Sequence, residues 1–261
     1  MKITKAVIPV AGSGVRLHPI TKVIPKTMIP IGNKPVLQYI IEEGIEAGIK
    51  EFIIIINENQ QMIRDYFNTE FDVIKSKDIL ELNNLVRELK LSFVIQPQQK
   101  GLADALLYVE NIIGDDDFAL MLGDDLIMHS NKSYGISNLI NIYNKTKSYV
   151  VGVRKVNRNK LKDYGIVTYD KNHNLIHIVE KPETNPPSKL AVIGRYIIKN
   201  DIFKYIKKCN TNSEILLTDV LNDITNNHVI RIYNIKDHCF DIGNVLGYLE
   251  ASSYIKKKNK G

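Results

Sequence analysis

Residues 7–35 read VIPVAGSGVRLHPITKVIPKTMIPIGNKP, and they begin as a nucleotide-binding fold begins before departing from it. An apolar strand-like run gives way to Ala11-Gly12-Ser13-Gly14. A dinucleotide fingerprint counted from Gly12 needs glycine at 17, and an ATP-type P-loop needs Gly-Lys at 17 and 18; the chain has Leu17 and His18. Two readings remain. The loop is either a structural turn or a phosphate cradle whose backbone N–H groups come close because Gly12 and Gly14 lack a Cβ. Arg16 adds a cation suited to bidentate phosphate contact. PKTMIP then sets Lys26 between Pro25 and Pro30, where the prolines hold the backbone extended around a second cation.

Outward from this stretch the pattern alternates. AVIPVA (6–11), EFIIIIN (51–57), LSFVIQ (91–96) and DFALMLGDD (117–125) read as strands, with helices at PVLQYIIEEGIEAG (35–48), QQMIRDYFN (60–68) and GLADALLYVENII (101–113). Unbroken isoleucine runs imply burial on both faces, hence parallel strands covered by helices. The chain then changes character. SYVVGVRKV (148–156), YGIVTYD (164–170), NLIHIVEKP (174–182) and LAVIGRYII (190–198) are short β segments separated by turn residues. Helices return at DIFKYIKKC (201–209), TDVLNDITN (218–226) and the C-terminus. The expected fold is α/β: a Rossmann-like, doubly wound, mixed but mainly parallel sheet with a small antiparallel β extension. Ligands are expected at the carboxyl ends of the strands. No linker or repeat divides residues 1–261, which predicts a single domain.

Composition narrows the function classes. With 261 residues, 44% hydrophobic and 25% charged, the chain reads as an ordinary globular protein. No apolar run reaches the roughly 20 residues that span a bilayer, and no signal-peptide core follows Met1, so no membrane association and a cytoplasmic location are expected. Cys209 and Cys239 fit neither a disulfide framework nor zinc spacing. The net charge of +6 suits an anionic ligand, although Lys256-Lys257-Lys258-Asn259-Lys260 reads more simply as a solvated helix end. Neither zinc-finger spacing nor an aromatic RNA-binding motif is present, so nucleic acid is not expected as a partner.

The stretch AGSGVRLHPITKVIPKTMIPIGNKP resembles the opening signature of the sugar-1-phosphate nucleotidyltransferases, and most closely their bacterial uridylyl branch. QPQQKGLADAL, LGDD, YGIV, VEKP, AVIGRY, EILLTD and FDIGNVLGYLEA continue the resemblance in order along nearly the whole chain. It implies conversion of UTP and glucose 1-phosphate to UDP-glucose and pyrophosphate. Ala11, Gly12, Ser13, Gly14 and Arg16 would cradle the triphosphate, Lys26 would contact the α-phosphate and the sugar phosphate, and Gln96 and Gly101 would read the pyrimidine. Asp124 and Asp241 would hold Mg²⁺. Gly165, Glu180, Lys181 and Arg195 would bind glucose 1-phosphate, with Arg16, Lys26 and Lys181 as the catalytic cations. The resemblance also implies a homodimer or homotetramer. After Tyr254 only IKKKNKG follows, so the hexapeptide β-helix domain of some relatives is not expected.

The chemistry suits these residue types. Attack by a phosphate dianion needs no general base, and the main problem is neutralising converging negative charge. Simpler readings stand beside each assignment: a turn at Asp124-Asp125, an exposed turn at Glu180-Lys181-Pro182, and a helix N-cap at Asp241 or Asn244. Tyr164 and Tyr196 are expected to pack, His18 to be a loop residue, and Asp115-Asp116-Asp117 to form a solvated turn. Val15 stands where the family usually has threonine. The alternatives are a thymidylyltransferase using dTTP and a non-catalytic nucleotide-sugar-binding protein.

Overall fold

The computed structural model describes residues 2–68, 77–128, 135–209 and 213–258. Along the first half run β1 (Lys5–Pro9), β2 (Pro30–Ile31), β3 (Lys34–Pro35), α1 (Val36–Glu46), β4 (Glu51–Ile56), α2 (Gln61–Asn68), α3 (Lys77–Arg87), β5 (Lys90–Ile95), α4 (Leu102–Leu107), α5 (Glu110–Ile113), β6 (Phe118–Met121) and β7 (Asp125–Met128). There follow α6 (Gly135–Thr146), β8 (Tyr149–Lys155), β9 (Gly165–Tyr169), β10 (Leu175–Glu180), β11 (Leu190–Ile198), α7 (Ile202–Ile206), α8 (Leu217–Ile224), β12 (Ile230–Asn234), β13 (His238–Asp241) and α9 (Val245–Lys258).

Nine of the described strands form one mixed sheet, in the order β10-β9-β11-β6-β1-β4-β5, with β8 pairing β11 and β12. β6, β1, β4 and β5 are parallel. The other half turns antiparallel around β11, which pairs β6, β8 and β9, while β12 joins β8 in parallel. The isoleucine runs bury both faces, as their lack of alternation implies. Along β1, Ala6 and Ile8 enter the core on one side of the sheet and Val7 the core on the other, the period of two that a strand imposes. The loops after β1, β5 and β6 leave the carboxyl ends of parallel strands, and β1 receives β4 on one side and β6 on the other. This is the switch-point geometry at which open α/β sheets bind ligands.

Several elements differ from the sequence reading. DFALMLGDD is not one strand: β6 stops at Met121, the chain turns through Leu122-Gly123-Asp124, and β7 leaves to pair with β13 in a separate antiparallel sheet. The helix expected over 101–113 breaks at Tyr108-Val109 into α4 and α5. Asp115-Asp116-Asp117 is more than a solvated turn. Asp117 accepts hydrogen bonds from Tyr143 Oη at 2.5 Å and Asn200 N–H at 2.8 Å, and Asp116 pairs with Lys5 at 2.8 Å. α9 carries its lysines to Lys258, while Asn259 and Lys260 lie outside the described residues.

One buried ion pair ties the layers together. Arg195 of β11 and Glu43 of α1 are both buried, with Nη2 2.7 Å from Oε2 and Nε 3.0 Å from each carboxylate oxygen. Burial works against the guanidinium charge, and Glu43, helped by Asp125 and Cys239, more than restores it. Glu43 Oε1 also accepts the N–H of Ile136 at the start of α6, at 3.1 Å. Removing one partner of such a pair leaves an uncompensated charge in the interior. Glu43→Ala should therefore lower unfolding stability by about 3–5 kcal/mol, read from the urea midpoint. A loss below about 1 kcal/mol, the scale of a surface pair, would mean Arg195 keeps its charge solvated.

Candidate active site

The loop after β1 is held from behind by side chains. Gln60 Nε2 donates to Val10 O at 2.9 Å, and Asn57 Nδ2 and Gln99 Nε2 each donate to Ala11 O at 2.8 Å. Gly14 adopts φ 65°, ψ 31°, and its carbonyl accepts from Thr21 Oγ1 at 2.8 Å. A side chain there would meet left-handed strain and Thr21 Cγ2 at 3.0 Å. Beside Gly12 the space is open, with no atom within 4 Å of a Cβ position. Ala11 and Gly12 line a cavity of about 340 Å³ with Lys26, Gln96, Gly101 and Asp124. Ser13 opens instead onto an adjoining cleft with His18 and Lys22. Val15, the departure from the family pattern, is exposed on the short helical turn Val15–Leu17.

Two further residues complete this wall. Gln96 donates to Asp104 Oδ2 at 2.9 Å and weakly to Gly101 O at 3.4 Å, so its amide hydrogens serve the protein and its oxygen is the end left for a ligand. Gly101 has φ +100°, and a Cβ would stand 2.5 Å from Ile215 O. No other residue fits that position.

A second cavity, of about 260 Å³, is lined by Arg16, Gly165, Glu180, Lys181, Asp124 and Asp241 among others. Gly165 and Glu180 sit opposite one another across the β9–β10 pair. Lys181 follows with φ 43°, a left-handed conformation unusual for a long side chain, held by its N–H to Tyr164 O at 3.1 Å. Its side chain is largely exposed, with Nζ 3.6 Å from Glu180 Oε1. Tyr164 and Tyr196 pack as expected, Tyr196 in the core and Tyr164 against Leu161, Ile166 and Ala191, and both also line this cavity; burial pushes the Tyr164 hydroxyl up to about 12, so it stays protonated.

Asp124 lines both cavities. The β7–β13 register sets Asp241 opposite Asp125 and so beside Asp124. A point 2.9 Å from Asp241 Oδ1, 3.0 Å from Arg16 Nη2 and 3.5 Å from Asp124 Oδ2 is free because residue 243 is glycine; a Cβ would occupy it. Lys26 Nζ lies 2.6 Å from Asp124 Oδ2, and Arg16 Nη1 lies 3.8 Å from Asp241 Oδ2. Burial alone would raise the Asp124 carboxyl, but Lys26, the backbone and Arg16 hold it below its usual value. Two carboxylates sharing one gap are the hard oxygen donors that Mg²⁺ takes alongside water and phosphate oxygens, so these residues fit that ion. Asp241 also serves the fold. Its Oδ1 accepts from Gly243 N–H, its Oδ2 accepts from Asn244 Nδ2, and Asn244 Oδ1 caps α9 at Gly247 N–H.

Arg195 does not reach the sugar-phosphate end, which corrects the expectation from AVIGRY. Beyond Glu43, its guanidinium donates to the carbonyls of Gly194, Leu122 and Asp125 at 2.9, 3.3 and 2.9 Å, and the side chain is inaccessible. An arginine with its donors spent inside the fold has none for a ligand. Two residues escaped the sequence reading. Asp125 lines the second cavity, accepts the N–H of Gly194 at 2.8 Å, and has its carboxyl pushed up by burial and by Asp124 and Asp241. Thr218 lines the same cavity from α8. The Asp-Asp doublet was a signal for the first, and EILLTD, one of the motifs that carry the family resemblance, was a signal for the second.

The chain is similar to known proteins along nearly its whole length. Residues 5–258 match the family model described as nucleotidyl transferase. UTP–glucose-1-phosphate uridylyltransferase 1 of Staphylococcus saprophyticus is 34% identical, across 99% of this chain and 96% of the relative. A crystal structure of UDP-glucose pyrophosphorylase complexed with UDP-glucose superposes with a TM-score of 0.91 at 36% identity, covering 98% of this chain and 99% of the other. A UTP-bound enzyme of the same name from Acinetobacter baumannii gives 0.87 at 32% identity, covering 97% and 93%.

If Asp124 and Asp241 share an ion, filling the gap at Gly243 should expel it. Gly243→Ala should weaken Mn²⁺ binding by about 10–100-fold, as loss of a metal-site support does, with the melting temperature changed by only a few degrees. The free-Mn²⁺ signal in electron paramagnetic resonance reads this directly, and wild-type affinity in the variant would separate the two carboxylates.

Proposed function

The chain belongs to the nucleotidyl transferase family, and from that membership we propose that it transfers the uridylyl group of UTP to glucose 1-phosphate, releasing pyrophosphate and UDP-glucose. The observation that carries this reading is the pair of cavities with Asp124 as their common wall. The one beside the glycine loop suits the nucleotide, and the one beside Glu180 and Lys181 suits the sugar phosphate. Their junction is where the two phosphates must meet.

An oxygen of the sugar phosphate attacks the α-phosphorus as the bond from that phosphorus to the β-phosphate oxygen breaks. The nucleophile is already ionised near neutral pH, so the residues act by position and charge. Lys26 is fixed by a short helical turn at Lys26–Met28 between its prolines, and its ammonium faces the junction. It is the group placed to neutralise the α-phosphate. Arg16 is more exposed and loosely paired, free to turn to the leaving pyrophosphate. Lys181 and Glu180 hold the sugar phosphate, the first by charge and the second by accepting from a ring hydroxyl. The Gln96 oxygen and the close backbone at Gly101 face the uracil. Mg²⁺ bound by Asp124 and Asp241 would supply Lewis-acid neutralisation of the phosphate oxygens.

Purified protein given a divalent ion, glucose 1-phosphate and each nucleoside triphosphate in turn should release pyrophosphate fastest with UTP. Faster release with dTTP would make it a thymidylyltransferase, and no release with any nucleotide would leave a binding protein. Lys26→Ala should lower kcat by about 10²-fold or more, the scale of losing one preorganised charge at a developing centre. A rate within twofold of wild type would reduce PKTMIP to a rigid turn.

A further inference from the structure

Behind the lining of the sugar-phosphate cavity lies a polar atom that the fold leaves unpaired. Thr218, in the first turn of α8, lines the cavity with Gly165, Glu180 and Lys181, and its Oγ1 is buried without a hydrogen-bond partner. Buried hydroxyls are nearly always paired, so one left unpaired in a cavity-lining residue calls for a partner, which a ligand supplies once the side chain turns toward the cavity. Gly165 keeps the space next to it clear. A Cβ there would stand 3.2 Å from Glu180 Oε2 and 3.4 Å from Thr218 Cγ2, so the carboxylate and the threonine flank one gap from different elements.

The spacing of those elements is fixed by a side chain one turn further along α8. Asn222 Oδ1 accepts the N–H of Ile178 at 2.7 Å, and Asn222 Nδ2 donates to Ile178 O at 2.9 Å. These are the two bonds a neighbouring strand would make to β10, and they hold α8 against that strand two residues before Glu180. The distance between Thr218 and Glu180 therefore depends on main-chain pairing.

We propose that Thr218 is a specificity-determining residue whose hydroxyl bonds the sugar hydroxyl adjacent to the one that Glu180 accepts from. The inference rests on the sugar 1-phosphate reading of this cavity. A rotation about χ1 exchanges Oγ1 with Cγ2 and brings the hydroxyl to the Gly165 gap, and threonine in a helix readily occupies two χ1 wells. A neutral donor-acceptor beside a carboxylate matches a vicinal diol, and it would discriminate among hexose 1-phosphates by their hydroxyls.

Thr218→Val keeps the shape and removes the hydroxyl, while Thr218→Ser keeps the hydroxyl. The valine variant should lose about tenfold in kcat/KM for glucose 1-phosphate with KM for UTP unchanged, and the serine variant should stay within about threefold of wild type. Across the monodeoxyglucose 1-phosphates, one analogue should be used equally well by wild type and the valine variant, because it lacks the hydroxyl that Thr218 binds. A valine variant indistinguishable from an active wild type overturns this inference alone, as does an equal deficit with every analogue. A wild type that leaves glucose 1-phosphate unused overturns the uridylyl reading and this inference together.

Discussion

A single buried guanidinium determines where the acidic centre can be. Arg195 spends its donors on Glu43 and on the carbonyls of Leu122, Gly194 and Asp125, and two of those carbonyls bracket Asp124. Burying an ion pair is costly unless every polar contact is made, and here the contacts are with the turn that must be held still. α1 supplies the counter-charge, β11 supplies the arginine, and the Leu122–Asp125 turn takes its shape from both. β7 can then leave the main sheet and pair with β13, which delivers Asp241 to Asp124.

The centre so formed is a balance of opposite charges. Lys26 lies against Asp124 and Arg16 approaches Asp241. Each carboxylate is thus matched by a cation carried on the glycine loop or just after it. For two polyanionic substrates this arrangement would be economical, because the cations set against the carboxylates would also neutralise the phosphates. Gly243 keeps the gap between them open, and Gly101 lets the wall of the first cavity approach Ile215 closely.

Much of this was legible in the residues. The isoleucine runs announced a sheet buried on both faces, and the failed fingerprints at Leu17 and His18 excluded the common dinucleotide and P-loop sites. The spacing of Arg16 and Lys26 marked the cationic side of the centre. What the sequence could not reveal were the non-local pairings. β7 begins at Asp125, the last residue of a run that reads as one strand, and its partner β13 lies over a hundred residues away. Arg195 sits in a motif that resembles a ligand contact, and only its burial reveals a structural role. Thr218 lies in EILLTD, to which no single site role was assigned, and its interest comes from a hydroxyl that the fold leaves unpaired.

The claim at the centre is that two phosphates meet beside Asp124 and that the α-phosphoryl group of UTP passes to the sugar phosphate. UTP labelled at its α-phosphorus, incubated with glucose 1-phosphate and a divalent ion, tests it most directly. The label should appear wholly in UDP-glucose, in amounts equal to the pyrophosphate released. Label released as free nucleotide without transfer to the sugar, as from a hydrolase, would contradict the account.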